Sequence, residues 1–167
     1  QRTAVRVAGV TRAFGEATET LRAVNQFLLA SQSVSRAEFR AFADPLAARH
    51  DYLLALSFHR FVSDAQRPAF EAERARDWPG FVIRERGPGG ALVPAARRPR
   101  YLVSDYVAPI EGNEVTYGYD AWSAPAQRAY TQRAIDSGEP AASTVTALLQ
   151  GDGRRHGLLI VLPVYRP

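Results

Sequence analysis

Apolar residues recur every three or four positions through the first segment of the chain, in the a and d positions of about four heptads. These residues are Val7, Val10, Phe14, Ala17, Leu21, Val24 and Leu28. A seven-residue repeat of this kind predicts one long helix with a narrow apolar stripe. Two interpretations are open, because either the chain's own core or the helix of a second copy can cover such a stripe.

The composition is that of an ordinary globular protein, with 46% hydrophobic and 23% charged residues in a chain of 167. One domain, or one domain plus an extension, suits this length. The chain has no Cys, which excludes a disulfide scaffold, zinc–thiolate and iron–sulfur sites and a cysteine nucleophile. No apolar run approaches the roughly 20 residues that span a bilayer, so any membrane anchor is expected outside this chain.

Short helices and strands are predicted to alternate after the first helix. Helices are expected from the capping residues Ser35, Ser63 and Ser123, and the last of them is expected to end at Gly138. Pro68 weakens the start at Ser63 and favours a later one. Strands are predicted over residues 52–61, 81–86, 91–93, 101–108, 114–120, 142–150 and 156–165. Glycine-rich turns join neighbouring strands, which indicates a mostly antiparallel sheet. The predicted fold class is therefore α+β, with helices flanking the sheet.

Catalytic motifs are missing from the sequence. The three histidines, His50, His59 and His156, are far apart, and no pair has the spacing of metal ligands. There is no P-loop, nucleophile elbow or dinucleotide-binding fingerprint. We therefore expect no metal, no cofactor and no enzymatic activity. An enzyme would require two of the histidines to converge with Asp105 or Asp120.

Basic charge raises the question of nucleic-acid binding. The formal net charge is +4, and the arginines cluster in two loop segments, at residues 97–100 and 154–155. The 17 acidic residues are interspersed with the arginines, and no predicted helix carries a basic stripe. A dedicated nucleic-acid binder concentrates its charge on one face, so we expect no nucleic-acid partner.

Tyrosines, hydroxyl residues and carboxylates follow the predicted strands 101–108, 114–120 and 142–150 at alternating positions. Gly118, within one of these strands, leaves room for a molecule to approach the sheet. Two interpretations are open here as well. The strands line a small-molecule pocket, or the tyrosines fill the core and place their hydroxyls at its surface.

Several segments stand in a characteristic order and spacing along nearly the whole chain. They are Phe27–Ser31, Leu53–Ser57, Val62–Glu71, Gly80–Arg86, Pro109–Asn113, Gly138–Ser143 and Gly157–Tyr165, with Tyr101, Tyr106, Gly118 and Asp120 between them. In this order the segments resemble the CHASE domain. That domain is the extracytoplasmic sensor in front of histidine kinases and nucleotide cyclases, including the plant cytokinin receptors.

The resemblance implies a stalk helix over residues 1–33 and a membrane-distal, PAS-like sensor subdomain over residues 34–167. A membrane-proximal subdomain and transmembrane helices are expected outside this chain, because family members carry them. The receptor would thus be tethered to the membrane, with this part on its periplasmic or extracellular face. Family members commonly form homodimers through the stalk, which the heptads at its start also favour.

The resemblance also implies ligand contacts. In the cytokinin-binding members, an acidic side chain before the Gly-x-Asp strand holds the adenine ring, and a hydroxyl residue on a later strand makes a second contact. The matching positions are Glu111 and Ser143, or Thr144 if the match slips by one residue. A carboxylate that accepts a purine N–H forms a charge-assisted bond worth about 1.5–3 kcal/mol.

Tyr101, Tyr106 and Tyr119 are expected as walls of the same pocket, and Asp105 is expected to face either the pocket or solvent. In the pocket, Asp105 would change which ligand is accepted. The sequence therefore predicts a small-molecule sensor of a transmembrane signalling receptor, with a cytokinin-like adenine derivative as ligand. The alternative is a ligand-free dimerisation and transmission module, or a sensor of a protein partner, whose sheet would carry a closed core.

Overall fold

The computed structural model describes residues 2–150 and 154–165, without the side chains of residues 2–7. The helices are α1 (Arg2–Ala30), α2 (Arg36–Ala47), α3 (Arg67–Ala75) and α4 (Pro125–Ser137). The strands are β1 (Leu56–Ser63), β2 (Arg84–Arg86), β3 (Leu92–Pro94), β4 (Arg100–Ala108), β5 (Ala141–Ala142), β6 (Thr146–Ala147), β7 (His156–Gly157) and β8 (Ile160–Val161). All four strand pairs of this set are antiparallel. The predicted long first helix and the α+β class are confirmed.

A central sheet forms around β4. This strand pairs with β1 on one side, and the short segment 118–120 lies along its other side. The Ser104 N–H donates to the Tyr119 carbonyl at 2.9 Å, and the Arg84 N–H donates to the Gly118 carbonyl at 2.9 Å. The segment 118–120 therefore joins β4 to β2, and the order across the central sheet is β3, β2, 118–120, β4, β1.

A β-bulge interrupts the pairing of β1 with β4. Phe58 pairs with Tyr106 and His59 pairs with Ser104, so Asp105 has no partner in the ladder. An extra residue of this kind shifts the alternation of side chains along the bulged strand. The bulge therefore turns Tyr106 toward the helices, where it packs in the cluster around Phe39.

Hydrophobic clusters cover both faces of the central sheet. On the helix face, α1 and α2 pack on the β1–β4 pair around the fully buried Phe39 and the buried Tyr106. A second cluster on this face lies under α3, around Tyr101 and Ile83. On the opposite face, Trp122 packs with Leu102 and Tyr119, and its ring meets Phe61 edge-on at 5.3 Å.

The two ends of α1 have different surroundings. Val24 and Leu28 are buried against α2 and the sheet. Val10 and Phe14, in the same heptad stripe, are 66% and 40% exposed. Asn25 donates to the Pro163 carbonyl at 2.9 Å, which ties the end of the chain to this helix. The chain's own core thus covers the C-terminal part of the stripe and leaves its N-terminal part uncovered.

Two local signals placed helix ends correctly. Ser35 and Glu38 form a reciprocal capping box, and α2 begins directly after Ser35. Gly138 follows α4 with φ 73°, the left-handed conformation that glycine adopts without strain. Both predictions rested on contacts within a few residues, and both are confirmed.

Two other helices begin later than their capping residues Ser63 and Ser123 indicated, and the first of them takes the later start that Pro68 favoured. Ser63 and Gln66 do exchange hydrogen bonds, since the Gln66 N–H donates to the Ser63 Oγ at 3.3 Å. The bonds close a turn, however, and α3 begins after it, where Pro68 fits the first helical turn. Ser123 donates its hydroxyl to the Asp120 carbonyl instead of capping α4, which begins at Pro125.

The predicted strand over residues 114–120 is wrong in its first half. Glu114–Thr116 is a 3-10 turn, and Gly118 has φ 80°. A residue at positive φ cannot continue an extended strand, so only the residues around Tyr119 reach the sheet. Val115, Tyr117 and Tyr119 alternate with polar or small residues as in a strand, but this pattern did not correspond to one here.

The last two predicted strands pair irregularly, as an antiparallel ribbon of residues 141–147 and 156–161. Its ladders are only two residues long, at β5–β8 and β6–β7. Between them the Ser143 Oγ accepts a hydrogen bond from the Leu159 N–H at 3.0 Å, so a side chain replaces a backbone bond. The predicted turn at residues 151–153 lies outside the described residues.

Candidate functional site

A half-open cavity of about 340 Å³ lies where the end of the stalk, α3 and the helix face of the sheet meet. Leu28 and the linker residues Ser33 and Val34 form one wall, and Phe58 and Tyr106 form the sheet wall. The volume falls at the lower end of the range of roughly 300–1,000 Å³ that is typical of small-molecule sites. The cavity therefore has the size of a site for a small metabolite.

The remaining lining comes from one aromatic ring and three charged side chains. Phe70, Glu73 and Arg74 project from α3, and Arg60 projects from β1. On β1 the residues Phe58, Arg60 and Val62 alternate with the opposite face, which brings Arg60 to the helix side. The cavity is thus apolar on the stalk side and charged on the α3 side.

Asp105 lies behind the charged wall and is fully buried. Its Oδ1 accepts a hydrogen bond from the Arg74 Nε at 2.5 Å, and its Oδ2 accepts from the Arg74 Nη2 and from the Arg60 Nε, both at 2.9 Å. A buried carboxylate is stable only when paired in this way. The bulge that leaves Asp105 out of the ladder thereby sets the positions of both guanidinium groups.

The two arginines are engaged to different degrees. Arg74 uses Nε and Nη2 for Asp105 and Nη1 for Glu73, at 2.8 Å, and its hydrogen bonds to Asp105 raise its pKa despite partial burial. Arg60 binds Asp105 through Nε, and its guanidinium lies 5.2 Å from the centre of the Phe58 ring. These two contacts therefore orient the Arg60 side chain. They do not use its two terminal nitrogens, which belong to a residue that lines the cavity.

Tyr106 connects the cavity to the stalk. Its hydroxyl donates to the Val34 carbonyl at 2.9 Å, and its ring packs against Phe39 and Phe58. Val34 belongs to the linker between α1 and α2. The strand that carries Asp105 is thus bonded directly to the segment in which the stalk ends.

The three predicted wall tyrosines lie in three different clusters. Tyr106 lines the cavity. Tyr101 lies in the cluster under α3, where its hydroxyl accepts hydrogen bonds from the Arg67 side chain at 3.2 Å and from the Arg98 N–H at 3.1 Å. Tyr119 is buried on the opposite face, where burial raises its pKa. The structure therefore does not bring these tyrosines to one cavity.

The predicted polar contacts lie away from the cavity. Glu111 is exposed in the loop after β4, and its carboxylate pairs with the Arg40 side chain of α2 at 3.1 Å. Ser143 donates its hydroxyl to the carbonyl of Thr144, which is itself exposed. These positions remain predicted ligand contacts, and they belong to a different part of the surface from the cavity.

Sequence reasoning missed Arg60, Glu73 and Arg74. One signal was present, because Asp105 stands in a strand whose other positions read as buried, and a buried carboxylate requires cationic partners. Arg60 lies on the strand that pairs with that of Asp105 and was therefore a possible partner. Arg74 could not be found this way, since its place depends on how α3 packs.

The histidines do not gather around a carboxylate. His59 lies near Asp105, and burial lowers the pKa of His59 to about 4 against the opposing attraction of that carboxylate. His50 lies instead beside Glu16, with 3.7 Å between its Nδ1 and the Glu16 Oε2, and His156 lies on β7. In the part of the chain that the structure describes, no three His, Asp or Glu side chains are grouped to hold a metal ion.

The structure thus combines a long helix, a helix-covered sheet and a cavity at their junction. The family model of the CHASE domain matches residues 32–167. The chain therefore belongs to the CHASE domain family, whose members are extracellular sensor domains of signalling receptors. No curated protein matches the chain. Among residues 2–150 and 154–165, no helix is both long and apolar enough to cross a membrane.

Proposed function

We propose that this chain binds a small molecule outside the cytoplasm and passes the event through α1 to a histidine kinase or a cyclic-nucleotide or diguanylate enzyme. The ligand occupies the cavity between the stalk end, α3 and the sheet. The observation that carries the proposal is that Leu28 of the stalk and Tyr106 of the sheet line the same cavity. A ligand there contacts both parts and can favour one of two arrangements of the stalk.

A thermal-melt screen tests this proposal. The wild-type chain is melted against a panel of small metabolites that includes isopentenyladenine. Binding at a hundred times the dissociation constant adds about 2.7 kcal/mol, which raises the melting temperature by roughly 5–10 °C in a chain of this size.

Two variants locate the ligand. Ser33 is exposed and lines the cavity, so Ser33→Tyr should fill the cavity and abolish the thermal shift. Ala30 is also exposed but does not line the cavity, so Ala30→Tyr should keep the shift. A thermal shift that persists in both variants would show that the ligand binds outside this cavity. The absence of a shift with every compound would count against a small-molecule sensor.

A finer alternative, with a binding site at Glu111 instead of the cavity, is a cytokinin-like adenine derivative anchored by Glu111, with Ser143 or Thr144 as second contact. Its support is the family resemblance and the exposure of the Glu111 carboxylate, which only the surface arginine Arg40 contacts among the described residues. A purine N–H would replace Arg40 as the hydrogen-bond donor to the Glu111 carboxylate.

The variant Glu111→Ala tests the anchor. Loss of the charge-assisted bond should weaken isopentenyladenine binding by roughly tenfold to a hundredfold. Titration calorimetry measures the affinity, and Glu114→Ala, at an exposed position three residues later, is the matched control. Equal affinities for the wild type and Glu111→Ala would remove Glu111 from the site.

A second candidate function is a ligand-free dimerisation and transmission module. One observation favours it, because Tyr101 and Tyr119 fill cores where pocket walls were predicted. The same screen separates the two candidates. A module without a ligand gives no thermal shift with any compound and still forms dimers through α1.

A further inference from the structure

We propose that the ligand of the cavity is a small carboxylic acid with an apolar body, and that its carboxylate is bound by Arg60. This inference rests on the proposed function, since it names the chemical class that the same cavity would accept.

The charge balance at the cavity wall is positive. Arg60 and Arg74 share one fully buried carboxylate, that of Asp105, which offsets one of the two charges. Glu73 also bonds Arg74, but its side chain is 64% exposed. Water therefore screens its charge, and it compensates the remaining cation weakly. An anionic ligand would complete this balance.

The hydrogen-bonding capacity points to Arg60. A guanidinium has five N–H donors in a planar fork. All three nitrogens of Arg74 bond to Asp105 or Glu73. Within the described residues, the hydrogen bond of Arg60 to the protein runs through Nε, so its two terminal nitrogens can serve a ligand. Two oxygens of a carboxylate fit such a pair of donors.

Arg60 is also held ready for binding. Asp105 fixes its Nε at 2.9 Å, and its guanidinium lies 5.2 Å from the centre of the Phe58 ring, on the cavity wall. A side chain already fixed in one orientation loses less conformational entropy when it binds a ligand. The same contacts keep Arg60 at the cavity while its side chain stays 41% exposed.

The rest of the cavity determines the body of the ligand. Leu28, Val34, Phe58 and Phe70 present apolar surface to it, and the volume of about 340 Å³ limits its size. An uncharged ligand that offers no acceptor would cover the two terminal nitrogens of Arg60 without hydrogen-bond partners, which is costly. A phosphate dianion would need more cationic donors than one guanidinium supplies. A monocarboxylate on an aromatic or branched aliphatic body fits both parts of the lining.

Matched pairs of acid and amide test the proposal directly. Phenylacetate and 4-methylpentanoate are titrated against the full chain by calorimetry, together with phenylacetamide and 4-methylpentanamide. We expect each acid to bind about tenfold to a hundredfold more tightly than its amide. In Arg60→Gln this preference should disappear. In Arg49→Gln, a control at an exposed position outside the cavity, the preference should remain.

Further outcomes overturn the proposal without ambiguity. Equal binding of acid and amide that is lost in Ser33→Tyr rejects the carboxylate and leaves the proposed function standing. Tighter binding of phenyl phosphate than of phenylacetate also rejects it, as does the absence of binding by every acid of the set. If Arg60→Gln does not fold, Arg60→Lys keeps the charge and removes the fork. The acid preference should then fall, and an unchanged preference overturns the role of Arg60.

Discussion

Asp105 shows how much a single residue determines in this domain. Its carboxylate is fully buried and joins β4 to Arg60 of β1 and Arg74 of α3. These contacts span three separate elements, so they align the sheet with the helix above it. The position was visible in the sequence as a carboxylate in a buried strand. Its partners were not, because they depend on the bulge and on the packing of α3.

Removing the Asp105 carboxylate should destabilise the fold strongly. Asp105→Ala leaves two guanidinium groups without their buried partner, and breaking a buried ion pair in this way costs about 3–5 kcal/mol. Urea unfolding followed by circular dichroism measures the loss. Asp51→Ala, at an exposed position, is the control and should change the free energy of unfolding by less than about 0.5 kcal/mol. A free energy of unfolding for Asp105→Ala equal to that of the wild type would show that the ion cluster does not support the fold.

His59 gives the domain a dependence of stability on pH. Burial lowers its pKa from 6.5 to about 4, and the attraction of Asp105 opposes the shift. Between these values the unfolded chain binds a proton that the folded chain does not, so stability falls as the pH falls from 6.5 toward 4. The contribution of His59 to this loss is about 1–3 kcal/mol.

The variant His59→Gln isolates this contribution. Unfolding free energies are measured at several pH values between 4 and 7, and the decline on acidification should be shallower in His59→Gln than in the wild type. His156→Gln, at an exposed position, serves as the comparison. Parallel curves for the wild type and His59→Gln would rule out a role for this histidine.

At the scale of elements, the sequence predicted the helix ends that depend on residues nearby in the chain. It missed the strand features that depend on contacts with residues far away in the chain. The heptads gave α1, the capping box at Ser35 gave the start of α2, and Gly138 gave the end of α4. The strand predicted over 114–120 failed because Gly118 adopts positive φ beside Phe81. The bulge at Asp105 left no mark in the pattern of β4, since its position is defined by pairing with β1.

The N-terminal part of the apolar stripe on α1 is exposed. Val10 and Phe14 are uncovered in the single chain, and we propose that the α1 of a second copy covers them. Phe14→Glu should place a charge in that helix pair and convert the dimer into a monomer. Light scattering after size-exclusion chromatography measures the mass.

Gln26→Glu, at an exposed position of the same helix, introduces the same side chain outside the uncovered stripe and should leave the dimer intact. A wild-type chain that is monomeric at all concentrations would contradict pairing through α1. A dimer that survives Phe14→Glu would place the contact elsewhere.

At the scale of the whole molecule, the cavity lies where the C-terminal end of α1 meets α3 and the sheet. Leu28 is the last buried residue of α1, Val34 lies in the linker to α2, and the Tyr106 hydroxyl donates to the Val34 carbonyl at 2.9 Å. A molecule bound between them would therefore contact the C-terminal end of α1. The sequence predicted a sensor with a pocket at the sheet, and the family match supports the sensor. The place of the cavity follows from how three elements pack, which no local pattern contains.

The most direct test of the account is the protection of a cysteine placed at the cavity. The chain contains no cysteine, so Ser33→Cys and the control Ala30→Cys each provide one thiol. Alkylation rates are measured with and without a saturating amount of the compound that gives the largest thermal shift. The account predicts about a tenfold or greater slowing at position 33 and an unchanged rate at position 30. An unchanged rate at position 33, with the thermal shift still present, would contradict binding in this cavity.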